Sequence, residues 1–318
     1  MRKLPPDKNQ TRIFTWNPNE PIEKFSVVVA SNKSTINQQE LTASGWHLES
    51  SGNLNLLEKL RKAGKPLGEY VGDKFYRGVT TGFNEAFVVD QTTRDRLVAE
   101  HSSSAEVLKP FLRGRDIKRW VVVSQNLWLI FTRRGVDLTK YPAIENYLNQ
   151  YKKQLMPGVE GGRKPGSYEW YEIQDNIAYW HEFEQPKIIL GRFMNKATFA
   201  FDKNGYFHND ALYMITGGSE YVVGVLNSSV SWWFLSQICT DLQNGYLQAF
   251  RENLFQIPIP VNPKPEAIEA LVNKILAIKS KDPKADVSKL ERQIDQLVYQ
   301  LYHLTPEEIK IIENQTGG

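Results

Sequence analysis

The hydrophobic pattern of this 318-residue chain changes at one proline-rich segment, IPIPVNPKP at residues 257–265. Before it, from Tyr70 to Pro260, short runs of β-branched and aromatic residues alternate with turn-rich pieces, which is typical of short strands. After it, apolar residues recur at spacings of three and four, which is typical of amphipathic helices. The sequence therefore predicts an α+β fold, in which a mixed region of short strands with a few helices precedes a C-terminal helical hairpin.

The same patterns predict individual elements. Strands are expected at Phe25–Ala30, Ala86–Val89, Trp120–Val123, Leu127–Phe131 and Lys187–Leu190. Helices are expected at Asn53–Ala63, Tyr141–Lys153, Tyr221–Ile238, Ala267–Ser280 and Val287–Tyr302. A further helix begins after Thr305, which suits the N-cap, with Pro306 in the first helical position. We expect three segments: a connecting segment over 1–69, the main mixed domain over 70–262, and the helical hairpin over 263–318.

A membrane-spanning or secreted protein is not expected. The most apolar long stretch, 221–239, is interrupted by six Asn, Ser and Gln residues, whereas a bilayer span requires ~20 predominantly apolar residues. No apolar run follows the basic residues of the N-terminus, so the sequence lacks the pattern of a secretory signal. The single cysteine, Cys239, fits a reducing compartment, and we expect a cytoplasmic protein without a membrane partner.

Catalytic and cofactor motifs are not found. The five histidines show no metal-ligand spacing, so no metal site is expected. The segment 17–20, Asn-Pro-Asn-Glu, begins like the Asn-Pro-Pro-aromatic motif of adenine-N6 methyltransferases but lacks the second proline and the stacking ring. A glycine-rich loop for S-adenosylmethionine is also absent from the sequence. We therefore expect no cofactor and no methyl transfer on this chain alone.

A metal-dependent nuclease is one alternative. Asp90, Asp116 and Lys118 resemble the D…[D/E]-x-K spacing in which two carboxylates hold Mg²⁺ beside a lysine. Three arginines surround Asp116, however, which favours an internal ion pair over a metal site.

Basic residues cluster along the chain although the net charge is only +3. The segment Lys109–Trp120 carries five cations against one acid in twelve residues, and its interleaved apolar residues should fix the arginines in place. Arg133 and Arg134 add a second basic point, and the loop 162–171, which ends in aromatic rings, adds a third. Fixed guanidinium groups suit phosphates and guanine edges, so this distribution favours a nucleic-acid partner.

Seven segments together resemble one known family, the C-terminal specificity domain of TaqI-type adenine-N6 methyltransferases and of fused type IIG restriction-modification enzymes. They cover most of residues 70–313 in the order expected for that family. The segments are YRGVTTGFNEAFVVD (76–90), LKPFLRGRDIKRW (108–120), WLIFTRRGVDLTKYPAIENYLNQYK (128–152), GRKPGSYEWYEIQDNIAYW (162–180), YVVGVLNSSVSWWF (221–234), FQIPIP (255–260) and KLERQIDQLVYQLYHLTPEEIKIIE (289–313).

The resemblance implies that residues 70–262 form a target recognition domain, which reads double-stranded DNA in a restriction-modification system. The family's methyltransferase domain precedes this region, so we expect this chain to be a fragment, a split gene or a stand-alone subunit. An adenine-N6 methyltransferase domain or subunit, holding S-adenosylmethionine, would then be its partner.

The resemblance and the basic pattern together indicate DNA-binding residues of two kinds. Phosphate contact or internal ion pairing is expected of Arg113, Arg115, Lys118 and Arg119, and Arg133 and Arg134 are expected to add a second cationic point to the DNA-binding surface. Base reading is expected of Arg163, Lys164, Tyr168, Arg192, Asn195, Lys196, Asn244, Tyr246 and Gln248. In particular, Arg163 or Arg192 would pair with guanine, and Asn195 or Gln248 with adenine.

A second hypothesis is a protein-interaction module, a degenerate specificity domain that docks a methyltransferase without reading DNA. The C-terminal hairpin resembles the helical spacers of restriction specificity subunits, which dock methyltransferase subunits. A simple cap on the main domain explains the hairpin equally well.

Overall fold

The computed structural model describes residues 10–12, 21–31, 35–37, 51–242, 245–261 and 264–316. In these ranges the α-helices are α1 (Phe25–Ser31), α2 (Ser51–Ala63), α3 (Leu67–Tyr70), α4 (Asn84–Phe87), α5 (Gln91–Glu100), α6 (Ser104–Val107), α7 (Pro142–Asn149), α8 (Lys152–Leu155), α9 (Glu220–Leu226), α10 (Ser229–Ile238), α11 (Arg251–Leu254), α12 (Glu266–Lys281), α13 (Ser288–Leu301) and α14 (Pro306–Thr316). The strands are β1 (Gln10–Arg12), β2 (Thr35–Asn37), β3 (Lys65–Pro66), β4 (Phe75–Arg77), β5 (Val88–Asp90), β6 (Leu108–Leu112), β7 (Leu127–Ile130), β8 (Lys187–Gly191), β9 (Phe193–Met194), β10 (Phe199–Asp202), β11 (Phe207–His208), β12 (Leu212–Thr216), β13 (Thr240–Asp241), β14 (Leu247–Gln248) and β15 (Pro258–Ile259).

The central sheet is antiparallel, in the order β10-β8-β12-β4. The inner strand β8 is covered on both faces, since Ile188 and Leu190 join a core that contains α9 and α10 while Ile189 joins a separate cluster on the opposite side. Burial on both faces explains why β8 is a continuous apolar run and not an alternating one.

A second sheet has the order β11-β6-β7-β5, and its one parallel pair joins β11 to β6. It packs with α5 and α7 around a separate core that includes Phe87, Phe111 and Ile144. Between the two sheets, the turn 113–119 leads from the end of β6 to Trp120, whose main chain bonds to β10.

The C-terminal helices pack directly on the central sheet's helices. Gly224 of α9 allows this contact, because a Cβ atom there would lie 2.5 Å from Cγ2 of Ile268 on α12. The Asp295 carboxylate on α13 accepts hydrogen bonds from the main chain and hydroxyl of Ser229, at 2.7 and 2.9 Å. The hairpin is therefore fixed to the rest of the chain by close packing and by polar contacts.

The prediction of an α+β fold with a C-terminal helical hairpin is confirmed, with α12 and α13 each within one residue of the expected bounds. The predicted N-cap of α14 is also present, since the Thr305 hydroxyl accepts from the Glu308 main chain and the Glu308 carboxylate accepts from the Thr305 main chain. No helix in the described ranges is both long and apolar enough to cross a bilayer.

Two predicted strands are wrong. Residues 25–30 form α1, which follows a 3-10 turn that begins after Pro21, and their β-branched side chains are largely exposed. Segment 120–123 forms only isolated bridges, because Trp120 takes a left-handed conformation at φ 77° and exchanges main-chain hydrogen bonds with Phe199 and Phe201. Intrinsic β-propensity is overridden by local context at both places.

Other elements are shorter than predicted. The expected strand 86–89 is split between the helical turn α4 and strand β5, and the expected helix 141–153 is split into α7 and α8. The expected helix 221–238 breaks at Asn227, whose side chain bonds to both main-chain polar groups of Phe199, and at Ser228, which caps α10 through the Ser231 main chain. The helix 53–63 is confirmed and begins two residues earlier.

Candidate nucleic-acid interface

A cleft of about 730 Å³ is formed by three segments that are far apart in sequence. These are the turn after β6, the residues around β9, and the loop that joins α12 to α13. Six cations and two acids line it: Arg115, Lys118, Arg119, Lys196, Lys279, Lys284, Asp286 and Glu291. The cleft therefore brings basic residues from three segments to one surface.

Two of the six cations are engaged within the protein. Arg119 donates to the Glu291 carboxylate at 2.6 Å and to the Asn227 carbonyl at 2.7 Å, which joins the cleft floor to α13. Burial raises the pKa of Glu291, but the Arg119 charge and its hydrogen bond outweigh burial and hold that pKa below its usual value. Lys279 donates to the Ala285 carbonyl at 2.7 Å and closes the α12–α13 loop. Arg119 and Lys279 thus position the walls of the cleft.

The other four cations are exposed. Arg115, Lys118, Lys196 and Lys284 form no ion pair or side-chain hydrogen bond within the described part of the chain. Cations that are exposed and have no internal partner can contact phosphate oxygens without first breaking a bond.

Asp116 does not form the expected ion pair with its neighbouring arginines. Its side chain is 1% exposed, and one carboxylate oxygen accepts a hydrogen bond of 2.7 Å from the Arg113 main chain. Asp90 similarly accepts from the Thr93 main chain at 2.8 Å and caps α5. Within the described ranges no three acidic, histidine or cysteine residues are placed to hold a metal ion. Both carboxylates proposed for a nuclease thus stabilise local main-chain structure.

Arg163 and Tyr168, expected from the sequence to read bases, lie in the interior. Arg163 is 4% exposed, and its guanidinium donates to main-chain carbonyls of Leu155, Thr81, Glu172, Glu169 and Trp170 at 2.7–3.3 Å. Burial lowers its pKa to about 10. Tyr168 is 8% exposed and donates its hydroxyl to the Lys164 carbonyl. Both residues hold the 155–172 segment together and are unavailable to base edges.

The remaining basic candidates lie outside the cleft. Arg134 donates to the carbonyls of Ile173 and Gln174 at 2.5 and 2.7 Å, so it is a structural residue like Arg163. Arg133 and Lys164 are exposed, and the Arg133 guanidinium lies 5.4 Å from the ring centroid of Trp180. Arg113 is half-buried, and its Nε is buried without a hydrogen-bond partner.

Residues around a small antiparallel sheet, β13-β14-β9, form the wall of the cleft beside Lys196. Met194 pairs with Leu247, and both side chains are 3% exposed and join the central core. Side chains alternate along a strand, so their neighbours point outward. The neighbours are Phe193, Asn195, Tyr246 and Gln248. Phe193 is 52% and Tyr246 41% exposed, Asn195 is exposed and Gln248 is half-buried.

Three of the predicted base-reading residues, Asn195, Tyr246 and Gln248, are thus brought together. Arg192 lies one residue before this face, half-buried, with its guanidinium 5.9 Å from the ring centroid of Tyr213. Asn244 lies outside the described residues. Sequence reasoning missed Phe193 and Lys284. The sequence offers no signal for either residue, because Phe193 and the buried Met194 are adjacent apolar residues and the turn sequence around Lys284 is that of an ordinary solvated loop.

Comparison with known proteins supports the sequence resemblance. Residues 109–259 match the family model for the TaqI-like C-terminal specificity domain. No curated protein matches the chain. Among solved structures, the type IIL restriction-modification enzyme MmeI, determined in complex with DNA, is similar over 74% of this chain at 14% identity and a TM-score of 0.53. The type IIG restriction endonuclease BpuSI is similar over 91% of this chain at 12% identity and a TM-score of 0.44.

The likeness to MmeI shows a shared fold. This chain spans about a third of the length of either enzyme, 34% of MmeI and 36% of BpuSI.

Proposed function

We propose, from the TaqI-like specificity segment at residues 109–259, that this chain is a DNA-recognition domain of a restriction-modification system and holds a DNA duplex against the cationic cleft. The observation that carries the proposal is the convergence of Arg115, Lys118, Lys196 and Lys284 on one cleft, all exposed and without internal partners in the described residues. Like charges repel one another, and the packing of these three segments does not require the four cations to share a cleft. A bound polyanion would neutralise the four charges, which gives their placement a functional reason.

The duplex would be held by phosphate contacts, while residues at the cleft wall read base edges. Arg119 and Lys279 would act indirectly, since each fixes the position of a neighbouring segment and has little donor capacity left for DNA. In this arrangement the α12–α13 loop is a second wall of the DNA site.

We further propose that an adenine-N6 methyltransferase domain or subunit is the partner of this chain. It would bind S-adenosylmethionine and supply the reaction, while this chain supplies the sequence preference. Support comes from the family resemblance, in which the specificity domain acts beside a methyltransferase domain.

Removing two exposed cleft lysines tests the DNA site. We expect Lys118→Ala with Lys196→Ala to weaken duplex binding about 10-fold per lysine near 0.1 M salt, equally for all sequences, because each lost phosphate contact forfeits roughly one released counterion. Fluorescence anisotropy of a labelled duplex measures the change. Lys153→Ala with Lys310→Ala is the matched control, since both lysines are exposed and lie outside the cleft. Equal losses in the two double variants would contradict the proposal.

A protein-interaction module is the second candidate, favoured by two mainly apolar clefts on the helical hairpin that share Leu297. The partly exposed Leu271 lines one cleft, and the partly exposed Leu301 lines the other beside Val261, which is 76% exposed. Apolar surface of this kind suits a protein partner. This candidate predicts no duplex binding by the chain, so the anisotropy experiment separates the two functions.

A further inference from the structure

The outward face of the small sheet carries two amides and two rings in a fixed arrangement. Phe193 pairs with Gln248 in the antiparallel register of β9 and β14, while Asn195 directly follows β9 and Tyr246 directly precedes β14. Directly opposed side chains on one face lie ~5 Å apart. Met194 and Leu247 anchor the opposite face in the core, so Phe193 and Gln248 are held on strands, and Asn195 and Tyr246 directly adjoin the ends of those strands.

The two amides have their hydrogen-bonding groups available. Neither Asn195 nor Gln248 forms a side-chain hydrogen bond within the described part of the chain. Asn227 shows the contrast: it is 1% exposed and its amide bonds to both main-chain groups of Phe199. A free amide offers one acceptor and two donors, which is the set that pairs bidentately with N6 and N7 of adenine.

The two rings are exposed beside those amides. Phe193 is 52% and Tyr246 41% exposed, and Phe250, two residues after β14, is 39% exposed. Burying exposed aromatic surface against a partner is favourable, because it removes apolar area from water. Rings next to free amides and to Lys196 match the edge of a base pair, where a thymine methyl lies beside the adenine edge.

We propose that this face reads A·T base pairs in the major groove, with Asn195 and Gln248 bonding to adenine and Phe193 contacting the adjoining thymine methyl. The inference rests on the proposed function and names its specificity-determining residues. In the three-stranded sheet β13-β14-β9, the paired strands β9 and β14 lie ~5 Å apart, which is narrower than the ~12 Å major groove. Lys196 follows Asn195 directly and lines the cleft, so it would contact the phosphate beside the base that Asn195 reads.

Selection of duplexes from a randomised library, with the full chain, tests this assignment. Wild-type protein should enrich sequences that contain adenine at defined positions. Asn195→Ala and Gln248→Ala should each lower adenine preference at one position by about 10-fold and leave the preferences at other positions unchanged. Phe193→Ala should lower the preference for thymine over uracil at the paired position, since only the methyl group differs.

Asn273→Ala is the matched control, because Asn273 is an exposed amide on α12 outside the cleft. Phe193, Asn195 and Asn273 are exposed and Gln248 is half-buried, and circular dichroism verifies that the variants fold. Adenine preference that survives both amide substitutions, or wild-type binding without any base preference, would overturn this inference and leave DNA binding intact. Absence of duplex binding by the wild-type chain would overturn the proposed function itself.

Discussion

Replacing Arg163 with methionine is expected to lower the free energy of unfolding by about 3–5 kcal/mol. The guanidinium donates to five main-chain carbonyls and is 4% exposed, so methionine would leave several buried acceptors without donors. Each buried carbonyl that is left without a donor costs ~1–3 kcal/mol. Part of this total cost is recovered when the segment rearranges or when water molecules enter and donate to the carbonyls. Urea unfolding of the two proteins measures the difference.

Lys164→Met is the matched control for Arg163, because the neighbouring lysine side chain is exposed. Its effect on unfolding should stay within about 0.5 kcal/mol, as for most surface substitutions. An Arg163→Met protein with wild-type stability and weakened duplex binding would contradict the structural role of Arg163. It would indicate that Arg163 contacts DNA.

Replacing Lys187 with methionine is expected to cost a similar ~3–5 kcal/mol of unfolding free energy. Lys187 and Asp202 are paired residues of β8 and β10, both 0% exposed, with Nζ 2.5 Å from Oδ2. Burial lowers the pKa of Lys187, and the Asp202 charge opposes that shift. Removal of the lysine would leave the Asp202 carboxylate buried without a counter-charge.

The double variant Lys187→Met with Asp202→Leu separates two free-energy terms: the cost of burying an unpaired charge, and the contribution of the intact ion pair to stability. It should be more stable than Lys187→Met alone, because apolar replacements of a whole buried pair are often tolerated. Recovery should be partial, since Asp202 also accepts from the main chain of Asn204 and Tyr206. A single variant that costs less than ~1 kcal/mol would show that the pair is not sealed from solvent.

Periodicity predicted the parts of the fold whose burial is one-sided. Helices α12 and α13 follow their apolar spacing closely, because one face of each packs on the domain and the other meets water. Periodicity failed where the chain is held by contacts remote in sequence. The Trp120 main chain is fixed by β10, some 80 residues further on, and no local pattern encodes that partner.

The site was predictable in residue type but not in exposure. Arg163 and Lys118 both lie in basic segments with aromatic neighbours, yet one is buried among carbonyls and the other lines the cleft. The sequence surroundings of a buried structural cation and of an exposed cation are alike, and only the tertiary contacts separate them. Lys284 was not predicted, because nothing in its local sequence marks it as a binding residue. It lines the cleft only because α12 and α13 place their connecting loop there.

The salt dependence of duplex binding by the wild-type chain tests the central claim most directly. For about four phosphate contacts, log K should fall with log salt at a slope near −3.6, so affinity should drop on the order of 100-fold between 50 and 200 mM salt. Anisotropy titration of a labelled duplex provides both values. No binding at 50 mM salt, or binding that does not weaken at 200 mM, would contradict a DNA site built on the cationic cleft.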